Sequence, residues 1–433
     1  MTPDDCEAVV PMGTRDALAR TLLWLALLVS LAGFLGYYNA QGFVSPPPMA
    51  VLTAQLAALG GAVFLLNKRL FVDWRVSAPL LLLAAWSATT LLWADAPAIG
   101  LRRWLLVFVP GILLFALAAR DPRPHQTFVW FIGFVTVITL ASGVFSGLVM
   151  AFWDSTVAEH ALRYFLIDVN GWSVGIAEGG RQYELGWYIP RFSGLTSNPN
   201  SISLFAAIGV IGLCALARPR GDARSAALLV IIALVVCMLL LSGSRAAFAM
   251  TLTGIFFVAA LRTDRRRIAR LAILLICGLT VVLYLLAWLR GAAPDPAHVE
   301  IFELRQRSDT WRIALQAIGD VWLSGIGFGL TQEAVYTPLG LDTTAHSVPL
   351  SMLLEAGVPG LALMLFVWFL PVYRGTGAAA PLTATEIAAV SLLAGLFVHQ
   401  AVDSSVFRYH WAHFVFAYLL GVSAGLAGSR ASA

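Results

Sequence analysis

Charge is what this sequence lacks. Only 12% of its 433 residues are Asp, Glu, Lys or Arg, while 59% are hydrophobic. A soluble domain carries about 25% charged residues, so a soluble globular enzyme is excluded. Lysine is nearly missing: of 28 basic residues, only Lys68 is one. The rest are arginines, which hold their charge and grip phosphate or carboxylate through a two-pronged fork. The four cysteines, Cys6, Cys214, Cys237 and Cys277, have neither metal-site nor CxxC spacing, and no disulfide framework is indicated. There is no DxD pair, HExxH or Walker loop. Acidic residues of the polar segments are scattered from Asp154 to Asp342, which argues against a Mg²⁺ or Mn²⁺ site. The net charge of +4 is dispersed between apolar runs and makes no case for nucleic acid. Internal repeats are absent too, which counts against a transporter built from two inverted halves.

What is there is apolar length. The mean hydropathy is +0.81, and runs of about 20 apolar residues can cross a bilayer as helices. Twelve such runs occur, near 21–39, 49–66, 76–94, 104–119, 127–152, 200–217, 225–242, 246–262, 269–289, 347–371, 384–402 and 412–429. The expectation is an all-α polytopic membrane protein with about twelve transmembrane helices. A large outer loop falls between spans 9 and 10. With the N-terminus inside, 17 basic residues fall on inner segments and 11 on outer ones, which are longer. The positive-inside rule therefore puts both termini in the cytoplasm. The expected parts are an N-terminal tail, 1–20, and spans 1–9 over 21–289, with an outer loop at 153–199. An outer loop at 290–346, spans 10–12 over 347–429 and a tail at 430–433 follow.

The outer segments hold the chemistry-bearing side chains. In "IFELRQRSDTWRIALQAIGDVW" (301–322), Ile301, Leu304, Ser308, Trp311, Leu315, Ile318 and Trp322 recur at helical steps. Arg305 and Arg312 flank that face on one side and Arg307 on the other. Such a helix is expected along the outer membrane surface. "SGIGFGL" (324–330) ends it. Arg245, in the turn "SGSR", is either a snorkelling arginine or one aimed at a lipid pyrophosphate. Arg191 precedes Asn198 and Asn200, which open the sixth span and serve either as caps or as part of an anion site. His346 heads the tenth span, with Ser347 as N-cap and Pro349 in the first turn. The positive helix end disfavours imidazolium, so a neutral ring able to take a hydroxyl proton is expected. Glu355, nine residues on, faces away from His346 and is expected to pair with another helix. "GVPG" (357–360) predicts a kink. His399, Asp403, Arg408 and His410, before the last span, are weaker candidates.

His346, Ser347, nine residues, Gly357, two residues and Gly360 resemble the histidine motif of the O-antigen ligase, polymerase and O-oligosaccharyltransferase superfamily. "RSDTWRIALQAIGDVWLSGIGFG" (307–329) is similar to its arginine–tryptophan segment, "SGSRAAF" (242–248) to its serine–arginine turn and "SNPNSIS" (197–203) to its asparagine turn. The similarity covers roughly 190–370. It implies a GT-C-like membrane glycosyltransferase, needing neither metal nor ATP nor any cofactor, that inverts the anomeric carbon. The implied partners are an undecaprenyl-pyrophosphate-linked O-antigen donor, a lipid A–core acceptor and the bilayer. The implied place is the inner membrane, with the site on the periplasmic side. Catalytic roles fall to His346, Arg245, Arg307 and Arg312; substrate binding falls to Arg191, Asn198, Asn200, Arg305 and Glu355. The single large late loop favours a ligase, while the two outer loops keep a polymerase open.

Overall fold

The computed structural model describes residues 13–32, 37–39, 42–44, 54, 56–62, 74–152, 164–169, 172–182, 188–192, 199–217, 222–290, 304–341, 343–377, 381–408 and 411–431. Helices dominate: α1 (Thr14–Ala32), α2 (56–62), α3 (Trp74–Thr89, continued by a 3₁₀ turn, Thr90–Trp93), α4 (Pro97–Ala118) and α5 (Pro124–Phe152). There follow α6 (Pro199–Leu216), α7 (Ala223–Ser242), α8 (Arg245–Arg262), α9 (Arg266–Arg290) and α10 (Leu304–Val321). The last three are α11 (Val348–Gly377), α12 (Ala384–Ala401) and α13 (Trp411–Ala431). Seven helices are long and apolar enough to cross a membrane on their own, and three more apolar helices are shorter. The chain is a multi-pass membrane protein. Each expected span overlaps helix among the described residues, but Tyr37–Asn39, at the end of the first, form a strand.

Short strands also occur between the helices of this predominantly α chain. Strands β1 (Tyr37–Asn39) and β2 (Gly42–Val44) pair antiparallel. So do β3 (Tyr164–Val169), β4 (Trp172–Gln182) and β5 (Tyr188–Phe192), in the order β3-β4-β5. These strands lie between helices, in segments such as "YFLIDV" that are too short to span as helices. There, backbone groups can pair across strands instead.

Burial divides the helices. The whole of α12 from Thr385 to Phe397 is buried, because it threads between neighbours. Its Gly395 lets α8 approach closely: a Cβ there would stand 2.7 Å from the Met250 carbonyl oxygen. Small residues at such crossings are how helices associate where lipid removes the hydrophobic drive. By contrast, α7 and α9 expose leucines such as Leu229, Leu274 and Leu275, as lipid-facing helices do.

The feature that shapes the site is a break in α11. At Gly357 the backbone leaves helical geometry, with φ 65° and ψ −172°, and the chain segment after α10 enters the break. The Ile326 and Gly327 amides donate to the Leu354 and Glu355 carbonyls (2.9 and 3.0 Å), and the Val358 amide donates to the Trp322 carbonyl (2.8 Å). Backbone groups released by the kink thus find partners, as a low-dielectric interior demands. Only glycine fits here. A Cβ on Gly357 would overlap the Leu323 carbonyl, and one on Gly325 would overlap that of Glu355. From the other side, α3 and its 3₁₀ turn clamp the joint. Trp86 Nε1 donates to the Ala356 carbonyl (2.7 Å), Trp93 Nε1 to that of Gly325 (3.1 Å), and the Phe328 amide to Thr90 Oγ1 (3.0 Å). Arg103 of α4 fixes the following segment by a fork onto Glu333 (2.6 and 2.7 Å) and a bond to the Gly329 carbonyl.

The apolar face expected to lie on the membrane surface is covered by protein. Trp311, Ala314 and Ile318 of α10 pack against Leu350 and Leu354 of α11, with Tyr336, and Tyr284 of α9 meets Trp311 edge-on at 5.3 Å. Trp322, placed on the same face by its spacing, is 54% exposed.

Candidate active site

Ser347 caps α11. Its Oγ accepts from the Leu350 amide (3.3 Å) and lies 2.5 Å from the Tyr284 hydroxyl, which itself donates to the Ala401 carbonyl (3.0 Å). Since Tyr284 has one proton, Ser347 donates to it, and α9, α11 and α12 are joined through one hydroxyl pair. Immediately before this cap, His346 sits in the left-handed region, φ 45°. A non-glycine residue held there costs on the order of 1 kcal/mol, and such strain gathers at functional sites. Surrounding bonds hold it. His346 Nε2 is 3.2 Å from Thr343 Oγ1, Thr344 Oγ1 is 3.2 Å from Ser404 Oγ, and the Val348 amide donates to the Asp403 carbonyl (3.2 Å). The turn before α11 is thereby knitted to the turn after α12.

The His346 ring is half-buried. Burial pulls its pKa below the ordinary value; the Asp403 carboxylate opposes this and the Arg307 charge adds to it. The ring is therefore neutral at pH 7, with the electron pair that a base requires. Asp403 also faces a second imidazole: its Oδ2 is 3.9 Å from His399 Nε2. Gln400 Nε2 points at Ser405 Oγ (2.7 Å) and at His399 Nδ1 (2.9 Å). Nδ1 is then the acceptor, and the network puts the His399 proton on Nε2, toward Asp403. Gln400 Oε1 accepts from the Ser405 and Val406 amides (2.9 and 2.8 Å), which stiffens the turn.

The structure brings some of the expected residues together and separates others. Arg307, half-buried on α10, acts electrostatically on both His346 and His399. Arg312 is half-buried on the same helix; five residues on, it stands about 140° round from Arg307. Arg305 lies in the first turn of α10. Arg245 is the exposed first residue of α8, after the N-cap Ser244. Counting from the Gly395–Met250 contact, five residues along each antiparallel helix set Arg245 level with Gln400, about 7.5 Å further on. That is the end of the bundle where His346 lies. Asn200 is half-buried in the first turn of α6, where its carbonyl accepts from Ser203 Oγ (2.7 Å). Arg191 is on β5, in register with Glu178 of β4. Asn198 and His410 lie outside the described residues.

Glu355 is apart from His346. It is 2% exposed, its Oε1 accepts from Thr331 Oγ1 (2.5 Å), and Arg408 Nη2 lies 2.7 Å away. This carboxylate is enclosed and paired with a residue from another segment of the chain. Asp403 and Arg408, ranked low in the sequence, are central here. Their visible signal was a polar turn, "VDSSVFR", between two apolar helices. Nothing marked Tyr284, Thr343 or Thr344. Among the described residues, no three His, Cys, Asp or Glu converge as metal ligands would.

These features gather imidazoles, a carboxylate and arginines at one end of a helical bundle. A family model described as O-antigen ligase matches residues 228–365, from α7 to the segment after the α11 break. Over that segment, about a third of the chain, the protein is similar to the O-antigen ligase family. The matched segment contains Arg245, Arg307, Arg312, His346 and Glu355. No curated protein matches the chain.

Proposed function

We propose that this chain is an O-antigen ligase. In that reaction an acceptor sugar hydroxyl of lipid A–core attacks the anomeric carbon of O-antigen carried on undecaprenyl pyrophosphate. The new C–O bond forms as the bond to the pyrophosphate oxygen breaks. The electron pair leaves with the pyrophosphate, the hydroxyl proton passes to His346, and configuration inverts. Charge grows on the leaving group as the bond lengthens, so arginines that bind it more tightly then lower the barrier. Arg245, Arg307 and Arg312 are assigned that role. Arg191, Arg305, Asn198 and Asn200 are assigned to substrate contact, and Glu355 to positioning. Neither metal nor ATP is needed. On this reading an even number of spans leaves both termini on one side, the cytoplasm by the excess of arginine on inner segments, with the site on the periplasmic face of the inner membrane.

The observation that carries the reading is the neutral, conformationally strained His346 beside Arg307 and Asp403 at the head of α11. A base and a fixed cation share one mouth. The test is His346→Ala in cells: unlinked, lipid-carried O-antigen should accumulate while lipid A–core stays uncapped. Capping at normal levels would remove the assignment. A polymerase is the second reading, favoured by the β3-β4-β5 sheet, which puts Arg191 in a second polar segment besides α10. Deleting a polymerase leaves single repeat units on lipid A–core; deleting a ligase leaves none.

A further inference from the structure

On the reading that the donor is a lipid diphosphate, we infer that Arg408 is a further diphosphate-binding residue, held in place by the buried Glu355. Three observations support this. The first is that the two arginine–carboxylate pairs around the α11 break are built differently. Arg103 closes both terminal nitrogens on Glu333 at 2.6 and 2.7 Å. Arg408 brings only Nη2 to Glu355, and among the described residues that nitrogen makes no aligned hydrogen bond. The second pair is thus an ion contact without the aligned fork, which leaves the guanidinium free to take a paired-oxygen acceptor in addition to Glu355. A diphosphate supplies paired oxygens suited to a guanidinium fork.

The second observation is local strain. Phe407, the residue before Arg408, has φ 56°. Of the three non-glycine residues with positive φ among the described residues, two are Phe407 and His346. The turns that carry them are bonded together through Val348–Asp403 and Thr344–Ser404. The strain is therefore shared by one knitted unit that aims both side chains.

The third is depth. Glu355 lies about 10 Å along α11 from its first residue, at 1.5 Å per residue. Arg408, bound to it, reaches further into the bundle than the His346 ring. A lipid-linked donor presents its diphosphate nearer the bilayer and its sugar further out. That polarity matches a guanidinium below and an imidazole above. The Arg408 side chain is 23% exposed through atoms other than the buried Nη2, so its outer edge can be reached, whereas Glu355 at 2% cannot.

The experiment uses the full chain in lipid nanodiscs, with inorganic diphosphate and inorganic phosphate as probes. The wild type should bind diphosphate more tightly than phosphate. Arg408→Gln should weaken diphosphate binding about tenfold or more, and Arg408→Lys, which keeps charge but loses the fork, severalfold. Glu355→Gln removes a competing negative charge. It should bind diphosphate at least as tightly while transferring glycan more slowly, so that kcat falls and KM does not rise. A purely structural Glu355 would not separate kcat from KM in that way. Wild-type affinity in both Arg408 variants overturns the inference and leaves the donor reading standing. A wild type that binds no diphosphate overturns both. If Arg408→Gln lowers the melting temperature without ligand, Arg408→Lys decides, because it preserves the charge facing Glu355.

Discussion

The two ends of the helical bundle use the same residue for opposite purposes. At the end away from His346, arginines close off helix termini. Arg262 donates to the Ala215 and Ala217 carbonyls at the C-terminus of α6, and Arg270 donates to the Thr376 carbonyl near the end of α11. Arg20 bonds Thr127 and Gln126 and stacks over Trp130 at 5.4 Å. Arg262 and Arg270 thus satisfy free helix carbonyls, while Arg20 is held by side chains and by the Asp121 carboxylate. At the His346 end, arginines meet carboxylates and imidazoles instead. Arg307 stands near two histidines, and Arg408 touches Glu355 through one nitrogen. The composition alone, 27 arginines and one lysine, does not separate these uses. What separates them is the company each keeps: helix carbonyls and local carboxylates at one end, imidazoles and a buried glutamate at the other.

The sharpest break of this contrast is at His346. Replacing it with Ala should lower glycan transfer about 10²–10⁴-fold, the usual contribution of a positioned base, with the fold intact; radiolabelled donor and acceptor in nanodiscs would read this. Gly357→Ala should come next. Its positive φ and the overlap with Leu323 should lower the unliganded stability by about 2 kcal/mol or more, seen as a fall in melting temperature. A tolerated alanine would mean the loop and the kink are not in contact. Arg307→Gln should reduce transfer about 10-fold to 100-fold, consistent with one lost charge-stabilising group.

The pH profile sharpens the comparison further. A base must be deprotonated, so transfer should be lost as pH falls through the depressed pKa of His346, with a plateau above it. Arg307 lowers that pKa and Asp403 raises it. Arg307→Gln should therefore move the acid limb to higher pH, and Asp403→Asn to lower pH; coincident limbs would detach both residues from the ring. The smallest effect is expected at the opposite end. Arg262→Ala should cost about 1 kcal/mol or less of stability and leave transfer unchanged.

Much of this was legible in the sequence. Apolar length announced the helices, and Ser347, Pro349 and Gly357 announced where α11 starts and bends, because caps and kinks are local. The face of α10 was legible as well, but not what covers it. Periodicity identifies a buried stripe without naming its partner, and Leu350, Leu354 and Tyr284 come from other segments. Asp403 and Arg408 ranked only as weaker candidates for the same reason: they reach the site across more than fifty residues of chain. The strands β3–β5 were missed because a scan for long apolar runs passes over short ones.

The opened joint in α11 also constrains assembly. A helix that releases carbonyls and carries Glu355 at mid-depth would be a poor guest among acyl chains by itself. The Trp322–Phe328 strip that heals it is synthesised first and is already waiting when the helix enters. Insertion of this span is in effect templated by the polypeptide ahead of it, so lengthening the stretch between residues 330 and 345 should slow maturation before it alters the finished protein.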